Sequence, residues 1–335
     1  MFSCDPSLFF PNDSNRLPVL TSIEAVVSQS RMVAFHPERL QSAVTHWGHL
    51  LEAPAGWHQP CHFFDGSEET VRWIFVLDVL NHCFWPDVGS PVWTVTYQGE
   101  SWSGYWGLAA SLKRGLEQGY PITQSHYLAT IAENDLLAIF AGEGEIPLFA
   151  ERLANLREAG SILESRFDGD VVQLVGAAEG SGVRTVLEVV AAFPSFRDEA
   201  CYRGRAIHFW KRAQIFVADL YHAFSGEGWG AFFDIDRLTA FADYKLPQVL
   251  RRLGVISYHP DLAQRIDQRE FLQSGSEEEV EIRAATIWAV EALRSTFQHG
   301  GITAHSMHID QWLWRLGQLE PFRGTPYHRC RTIFY

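Results

Sequence analysis

Five stretches of the chain, "WGLAASLKRGLEQG", "IPLFAERLANLREAGSILESRF", "GVRTVLEVVAAF", "AIHFWKRAQIFVADLYHAF" and "EEEVEIRAATIWAVEALRSTF", place apolar residues three to four positions apart. That period puts them on one face of a helix, so the chain must fold by packing helices. Residues 16–55 also read as helical, and "ETVRWIFVLDVLNHCFWPD" adds an almost wholly apolar helix, interrupted by Asp78 and Asn81 and ended near Pro86. One segment departs from the period. In "VWTVTYQGESWSGY", Val92, Thr94 and Thr96 alternate with Trp93, Val95 and Tyr97 around a glycine-containing turn, which predicts a small β-hairpin near residues 91–103. The glycine-rich "FSGEGWG" and "QSGSEEE" are loops too short to be linkers. The expected architecture is mainly α: a single composite domain over 1–335, with an N-terminal lobe at about 1–150 carrying the hairpin and a helical lobe at about 151–335.

A chain of 335 residues with 47% hydrophobic composition can bury a large core, and 12 Trp and 23 Phe are enough to line a stacking pocket as well. The net charge of −13 and the lack of a Lys/Arg cluster argue against a long nucleic-acid groove. A single phosphate is a different demand, because one or two embedded basic residues can hold it whatever the total charge. The N-terminal "MFSCDPSLFFPNDSNRL" lacks the pattern of a secretory signal, and no stretch reaches the length of a membrane span. Cys4, Cys61, Cys83, Cys201 and Cys330 are scattered without a CxxC, which suits a reducing cytoplasm and excludes zinc ribbons.

The phosphate loop GxxxxGK[ST], the dinucleotide GxGxxG, the zinc-protease HExxH and the hydrolase GxSxG are all missing from the sequence. His299, His305 and His308 crowd "HGGITAHSMH", yet their spacing suits no helix-face metal pair, and solvated loop histidines are the expectation. More informative is "AIHFWKRAQIFVADLYHAF", an apolar helix carrying Lys211, Arg212 and Asp219. Arg212 and Asp219 fall on one face, where they could form a structural ion pair; alternatively Lys211 or Arg212 projects into a cleft to hold an anion. Asp78 and Asn81, three apart, would share a polar pocket beside Phe84 and Trp85, or simply satisfy each other in the core. Ser103, Tyr105 and Trp106 stand at a β-to-α junction, where sites often form.

In "LTAFADYKLPQVLRRLG", Pro247 suits the first position of a short helix over Pro247–Leu253 and Gly254 its end, which puts Asp243 just outside the helix N-terminus. The positive end of the helix dipole favours a charged carboxylate there. Such an acid can be an ordinary capping residue or a catalytic one.

"ADYKLPQVLRRLGV" resembles the "VDxHVxRVxxRLGL" that follows the helix-hairpin-helix of DNA glycosylases, whose aspartate is catalytic and matches Asp243; the glycine-rich hairpin that grips DNA is replaced here by "DIDRLTAF". From about Trp57 onward the chain more fully resembles the queuosine salvage proteins, through "WIFVLDVLNHCFW", "YQGESWSGYWGLAASLKRGLEQGYPIT", "FPSFRDEACYRGRAIHFWKRAQIFVAD", "LTAFADYKLPQVLRRLG", "EVEIRAATIWAVEALR" and the terminal "PYHRCRTIFY". That resemblance implies a helical, DNA-glycosylase-like fold and hydrolysis of queuosine 5′-monophosphate to release queuine. It also implies that neither metal nor organic cofactor is used.

A 7-deazaguanine leaving base lacks the N7 that glycosylases often protonate, so the burden falls on a carboxylate near C1′, for which Asp243 is the candidate, by charge or as a transient nucleophile. The flat base calls for aromatic walls, with Phe84, Trp85, Tyr105, Trp106 and Phe241 as candidates. Its diol and secondary amine call for His62, Asp78, Asn81 or Asp310, and the 5′-phosphate for Lys211 or Arg212, with Lys245. The partner is then a small molecule, with no stable nucleic-acid complex and no membrane. A non-catalytic module binding a modified nucleoside or tRNA, or a glycosylase for another modified nucleotide, is the alternative.

Overall fold

The computed structural model describes residues 17–51, 57 and 59–335; all of the N-terminal string quoted above but its last residue, Cys4 included, lies outside them. Among the described residues the elements run α1 (Val19–Gln29), β1 (Val33–Phe35), α2 (Leu40–Trp47), α3 (Glu68–Leu80), β2 (Thr94–Tyr97), β3 (Glu100–Ser103), α4 (Gly104–Glu117), α5 (Ser125–Thr130), α6 (Glu133–Ile139), α7 (Phe149–Arg166), α8 (Val171–Ala177) and α9 (Gly182–Ala192). They continue with β4 (Glu199–Tyr202), β5 (Arg205–His208), α10 (Lys211–Ala223), α11 (Lys245–Leu253), β6 (Ile256–Tyr258), α12 (Pro260–Asp267), β7 (Phe271–Leu272), α13 (Glu277–His299), α14 (Ser306–Leu316) and β8 (Arg329–Cys330). The fold is mainly α, and its strands pair only two by two.

The hairpin expected near 91–103 is β2–β3, with Tyr97 opposite Glu100 and positive φ at Gln98 and Gly99, the backbone a two-residue turn requires. Three local expectations need correction. The stretch 16–55 holds β1 as well as helices; β1 runs antiparallel to β6, Ala34 opposite Ser257, a pairing with a segment more than two hundred residues away that local periodicity cannot reveal. The helix expected from Ala206 begins at Lys211, because Ala206 and Ile207 belong to β5, folded back on β4 through a turn with positive φ at Arg203 and Gly204. Short apolar runs satisfy both periods, and the Arg-Gly turn decides between them. Finally, α3 stops at Leu80 instead of near Pro86. Arg152, buried, donates to the carbonyls of Leu80, His82 and Cys83, and so takes the acceptors that a continued helix would use.

The chain forms two compact units, neither continuous in sequence and neither coinciding with a division near residue 150. One comprises the described part of Met1–Ala55 with Asp198–Lys211 and Asp236–Arg331; the other comprises Gly56–Arg197, Arg212–Ile235 and Thr332–Tyr335. In the first, α13 is 23 residues long and buried almost continuously from Glu279 to Leu293, and α1, α2, α11 and α14 pack on it. Ser276 caps it and three glutamates fill its first turn, where they complement the helix dipole. A helix buried all round carries its polar residues for a reason. Glu281 shows one: its Oε2 accepts the Ser30 hydroxyl and the backbone N–H groups of Arg31, Met32 and Val33, and its Oε1 accepts the Tyr202 hydroxyl. These bonds satisfy a buried carboxylate and fix the entry to β1.

In the second unit α3 is central, packed against α4, α7 and α8. Ser67 caps its start by accepting the Glu69 N–H at 3.0 Å, and Arg72 reaches Asp170 at the start of α8, at 2.5 Å. Helices α5 and α7 approach so closely at Gly160 that a Cβ there would collide with the backbone of Ser125 and Ala129.

Candidate active site

The connector before α11 is held residue by residue. Asp243 Oδ1 accepts the backbone N–H groups of Lys245 at 2.7 Å and Leu246 at 3.0 Å, so it caps a helix that starts at Lys245, two residues before the expected Pro247. Pro247 sits in the first turn, where its missing N–H costs nothing, and Gly254 ends the helix at φ 74° as expected. Just upstream, the Phe241 N–H donates to Asp310 Oδ2 at 2.7 Å, and the Ala242 carbonyl accepts Arg283 Nε at 3.1 Å. Phe241 and Ala242 are buried, whereas Asp243 is half-buried. Capping and accessibility therefore coexist: one oxygen serves the helix, and the residue stays partly exposed.

Asp310, on α14, is 7% exposed. Burial first, and then the negative charge of Asp243, hold its carboxyl well above the usual carboxylate range; the Phe241 N–H and Lys211 pull the other way. The unit thus places beside Asp243 a second acid that keeps its proton more readily than an exposed one would. Lys211 opens α10, is itself buried, and donates its backbone N–H to Asp198 Oδ2 at 3.2 Å. Lys245, half-buried, has its ammonium group held below the ordinary range by burial, with Asp243 opposing; its Nζ lies 5.4 Å from the centre of the Tyr327 ring. Lys211, Phe241, Asp243, Lys245 and Asp310 all belong to the first unit.

The other residues that the sequence offers for substrate binding lie in the second unit. His62 stacks on Trp57 at 3.9 Å between ring centres, and its Nδ1 lies 2.7 Å from the Trp57 carbonyl. A carbonyl only accepts, so Nδ1 carries the proton, and Nε2 is left to accept from the Tyr105 hydroxyl at 2.9 Å. Burial lowers His62 to about 4, so the ring is neutral near pH 7. The Tyr105 phenol is pushed well above its usual value by burial, then by the charges of Asp219 and Asp78. With its proton given to His62, Tyr105 presents only acceptor lone pairs.

Asp78 Oδ1 accepts Asn81 Nδ2 at 3.3 Å, both side chains being buried. Trp106 tilts against His62 at 5.2 Å. Trp85 is buried in the core, Phe84 lies 5.2 Å beneath the Arg152 guanidinium, and Ser103 is exposed at the start of α4. Arg212 is almost fully buried. It lies 4.7 Å from the Phe196 ring centre and donates to the backbone carbonyls of Asp78, Val79 and Ser195, so those contacts are structural.

Sequence reasoning passed over Asp198 and Arg283, and weighed Asp219 only as an ion-pair partner for Arg212. The available signal was an arginine inside the nearly unbroken apolar run "VEIRAATIWAV", where a charge must have a buried partner. His305 and His308 pack on each other at the start of α14, with His308 Nδ1 near the His305 N–H at 3.4 Å. No helix among the described residues is long and apolar enough to cross a membrane.

Residues 61–335 match the family model described as queuosine salvage protein. A Sphaerobacter thermophilus protein named queuosine 5′-phosphate N-glycosylase/hydrolase is 49% identical over 321 residues, 96% of this chain and 98% of that protein. Proteins of the same name from Mus musculus and Schizosaccharomyces pombe are 36% and 33% identical, covering 85% and 79% of this chain and 90% and 83% of their own lengths. Matches of this extent run through both compact units and through the Asp243 connector, and on that ground the chain belongs to the queuosine salvage protein family.

Proposed function

We propose that this chain hydrolyses the N-glycosidic bond of queuosine 5′-monophosphate, releasing queuine for reuse in tRNA. The observation that carries the reading is the half-buried carboxylate of Asp243, fixed at the head of α11 by two backbone N–H groups, in a chain nearly half identical to a protein named for this activity. The C1′–N9 bond breaks as positive charge develops on the ribosyl C1′ and ring oxygen. Asp243 offsets that charge, or bonds transiently to C1′, and water supplies the hydroxyl that completes ribose 5-phosphate. The proton from water ends on the departing base.

Lys211 is the residue proposed for the 5′-phosphate, with Lys245 assisting; Arg212 ranks lower because its guanidinium already serves backbone carbonyls. For the base we propose Tyr105, with Asp78, Asn81 and Trp106, because acceptor-only oxygens suit the hydroxyls and amine of queuine. A free small nucleotide is the proposed substrate, since a charge of −13 disfavours a polyanion. The cytoplasm is the proposed compartment, where Cys61, Cys83, Cys201 and Cys330 would stay reduced.

Incubation with queuosine 5′-monophosphate should yield free queuine and ribose 5-phosphate in equal amounts, detected by mass spectrometry. Tight binding of the nucleotide without product would instead identify a binding module.

A further inference from the structure

Asp243 and Lys211 lie 32 positions apart in sequence, on separate elements. A single buried pair touches the backbone beside both. Arg283 on α13 donates Nη1 to Asp198 Oδ1 at 2.7 Å and Nη2 to Asp198 Oδ2 at 2.5 Å, a two-pronged pair with both side chains 3% exposed. Its Nε donates to the Ala242 carbonyl at 3.1 Å, one peptide before Asp243. On the other side, Asp198 Oδ2 accepts the backbone N–H of Lys211 at 3.2 Å, and the Asp198 carbonyl accepts the N–H groups of Phe209 and Trp210. The guanidinium also lies 3.9 Å from the centre of the Phe209 ring, and Glu279 approaches it at 3.5 Å.

We infer that the Asp198–Arg283 pair is a positioning device for the reaction, setting the Asp243 carboxylate and the start of the Lys211 helix together. This inference rests on the proposed hydrolysis. The pair bonds to the peptides that carry Asp243 and Lys211, and acts through them. An arginine is required for a geometric reason. Only a planar fork with a third donor on its Nε can hold a carboxylate with two parallel bonds and a carbonyl with another, whereas a lysine offers a point charge. Burying two charges is costly unless the bonds they make are needed, and apolar side chains could have filled both positions.

The test uses two variants of the full chain. Arg283→Lys keeps the charge that Asp198 needs while losing the fork and the Nε bond. Asp198→Asn combined with Arg283→Gln removes both charges together, so no uncompensated charge is left to unfold the protein. Single-turnover release of queuine is measured per folded molecule, well below each melting temperature. Displacement of the Asp243 connector should slow both variants at least about tenfold on the monophosphate and on the bare nucleoside alike, since misplacement of about 1 Å can cost a hundredfold. The preference for the monophosphate should also shrink, because the Lys211 helix start moves as well.

In the Asp243→Asn background, adding Arg283→Lys should have little further effect on the rate, because both changes act on one carboxylate. A role confined to stability would lower melting temperature and leave the rate per folded molecule at the wild-type value, and that result in either variant overturns the inference. If wild type itself releases no queuine, the proposed function fails, which is a separate result.

Discussion

Asp310 Oδ2 accepts the backbone N–H of Phe241 at 2.7 Å, tying a carboxyl on α14 to the residue two before Asp243. Two acids therefore meet at one connector under different conditions: Asp243 half-buried and capping a helix, Asp310 buried and inclined to keep its proton. The different settings separate what each substitution by asparagine should do.

For Asp243→Asn the fold should survive, since asparagine caps a helix about as well as aspartate. The charge that offsets an oxocarbenium ion is lost, so single-turnover release should fall at least about a hundredfold with substrate binding retained. Rapid release by a folded variant would remove Asp243 from the mechanism.

Asp310→Asn replaces a carboxyl that burial already drives toward neutrality, and its side-chain oxygen can still accept the Phe241 N–H. The rate should fall by less than about tenfold, equivalent to under about 1.4 kcal/mol of barrier. A carboxyl whose folded-state pKa is raised stabilises the fold fully only below its unfolded value, and that contribution is lost as pH rises. The variant should therefore melt no lower than wild type at pH 8. A rate as low as that of Asp243→Asn would show that the Asp310 proton is used in the chemistry.

Tyr105→Phe leaves the ring and removes the oxygen that donates to His62 Nε2. If that oxygen reads the base, affinity for the monophosphate should weaken by about 1 to 3 kcal/mol, the cost of leaving a ligand donor unmatched. Calorimetric titration on the Asp243→Asn background separates this from turnover, and unchanged affinity would exclude Tyr105 as a base reader.

Acid should unfold the protein through its buried histidines. Burial lowers His62 and His308 to about 4 and His328 to about 3, while the unfolded values lie near 6.5. Between those limits the unfolded chain binds protons that the folded chain refuses, so stability should drop as pH falls from about 6.5 to 4. His328→Gln should flatten that dependence in a melting series; an unaltered slope would mean that His328 takes up its proton equally in the folded and unfolded states.

Much of this was legible in the sequence because helices announce themselves locally. The spacing of apolar residues marked α4, α7, α9 and α13, and the alternation around Gly99 marked β2–β3. Asp243 stood out because a proline, a glycine and a lone acid punctuate one short segment. What could not be read was anything fixed by distant partners. The β1–β6 pairing, the early stop of α3 under Arg152, and the use of Arg212 on three carbonyls each depend on residues at least fifteen positions away. Asp198 and Arg283 belong to the same class, since neither has a local pattern and their pairing spans 85 positions.

The enzyme should prefer the 5′-monophosphate over both the bare nucleoside and intact tRNA. Lys211 is buried yet lies close enough to Asp310 for its charge to be felt there, so a cation stands near the carboxyl pair. A chain of net charge −13 gains nothing from a longer polyanion. A charge-assisted bond contributes about 1.5 to 3 kcal/mol, so loss of the phosphate should cost roughly ten- to a hundredfold in kcat/KM. Lys211→Ala should shrink that ratio, slowing the monophosphate far more than the nucleoside. Arg212→Ala should act differently, lowering the melting temperature, because it strips donors from the buried carbonyls of Asp78, Val79 and Ser195. Measuring kcat/KM for queuosine, its 5′-monophosphate and queuosine-containing tRNA with wild type and both variants decides the matter. Equal efficiency on nucleoside and nucleotide, or a Lys211→Ala ratio equal to that of wild type, would mean that the phosphate is held elsewhere or not at all.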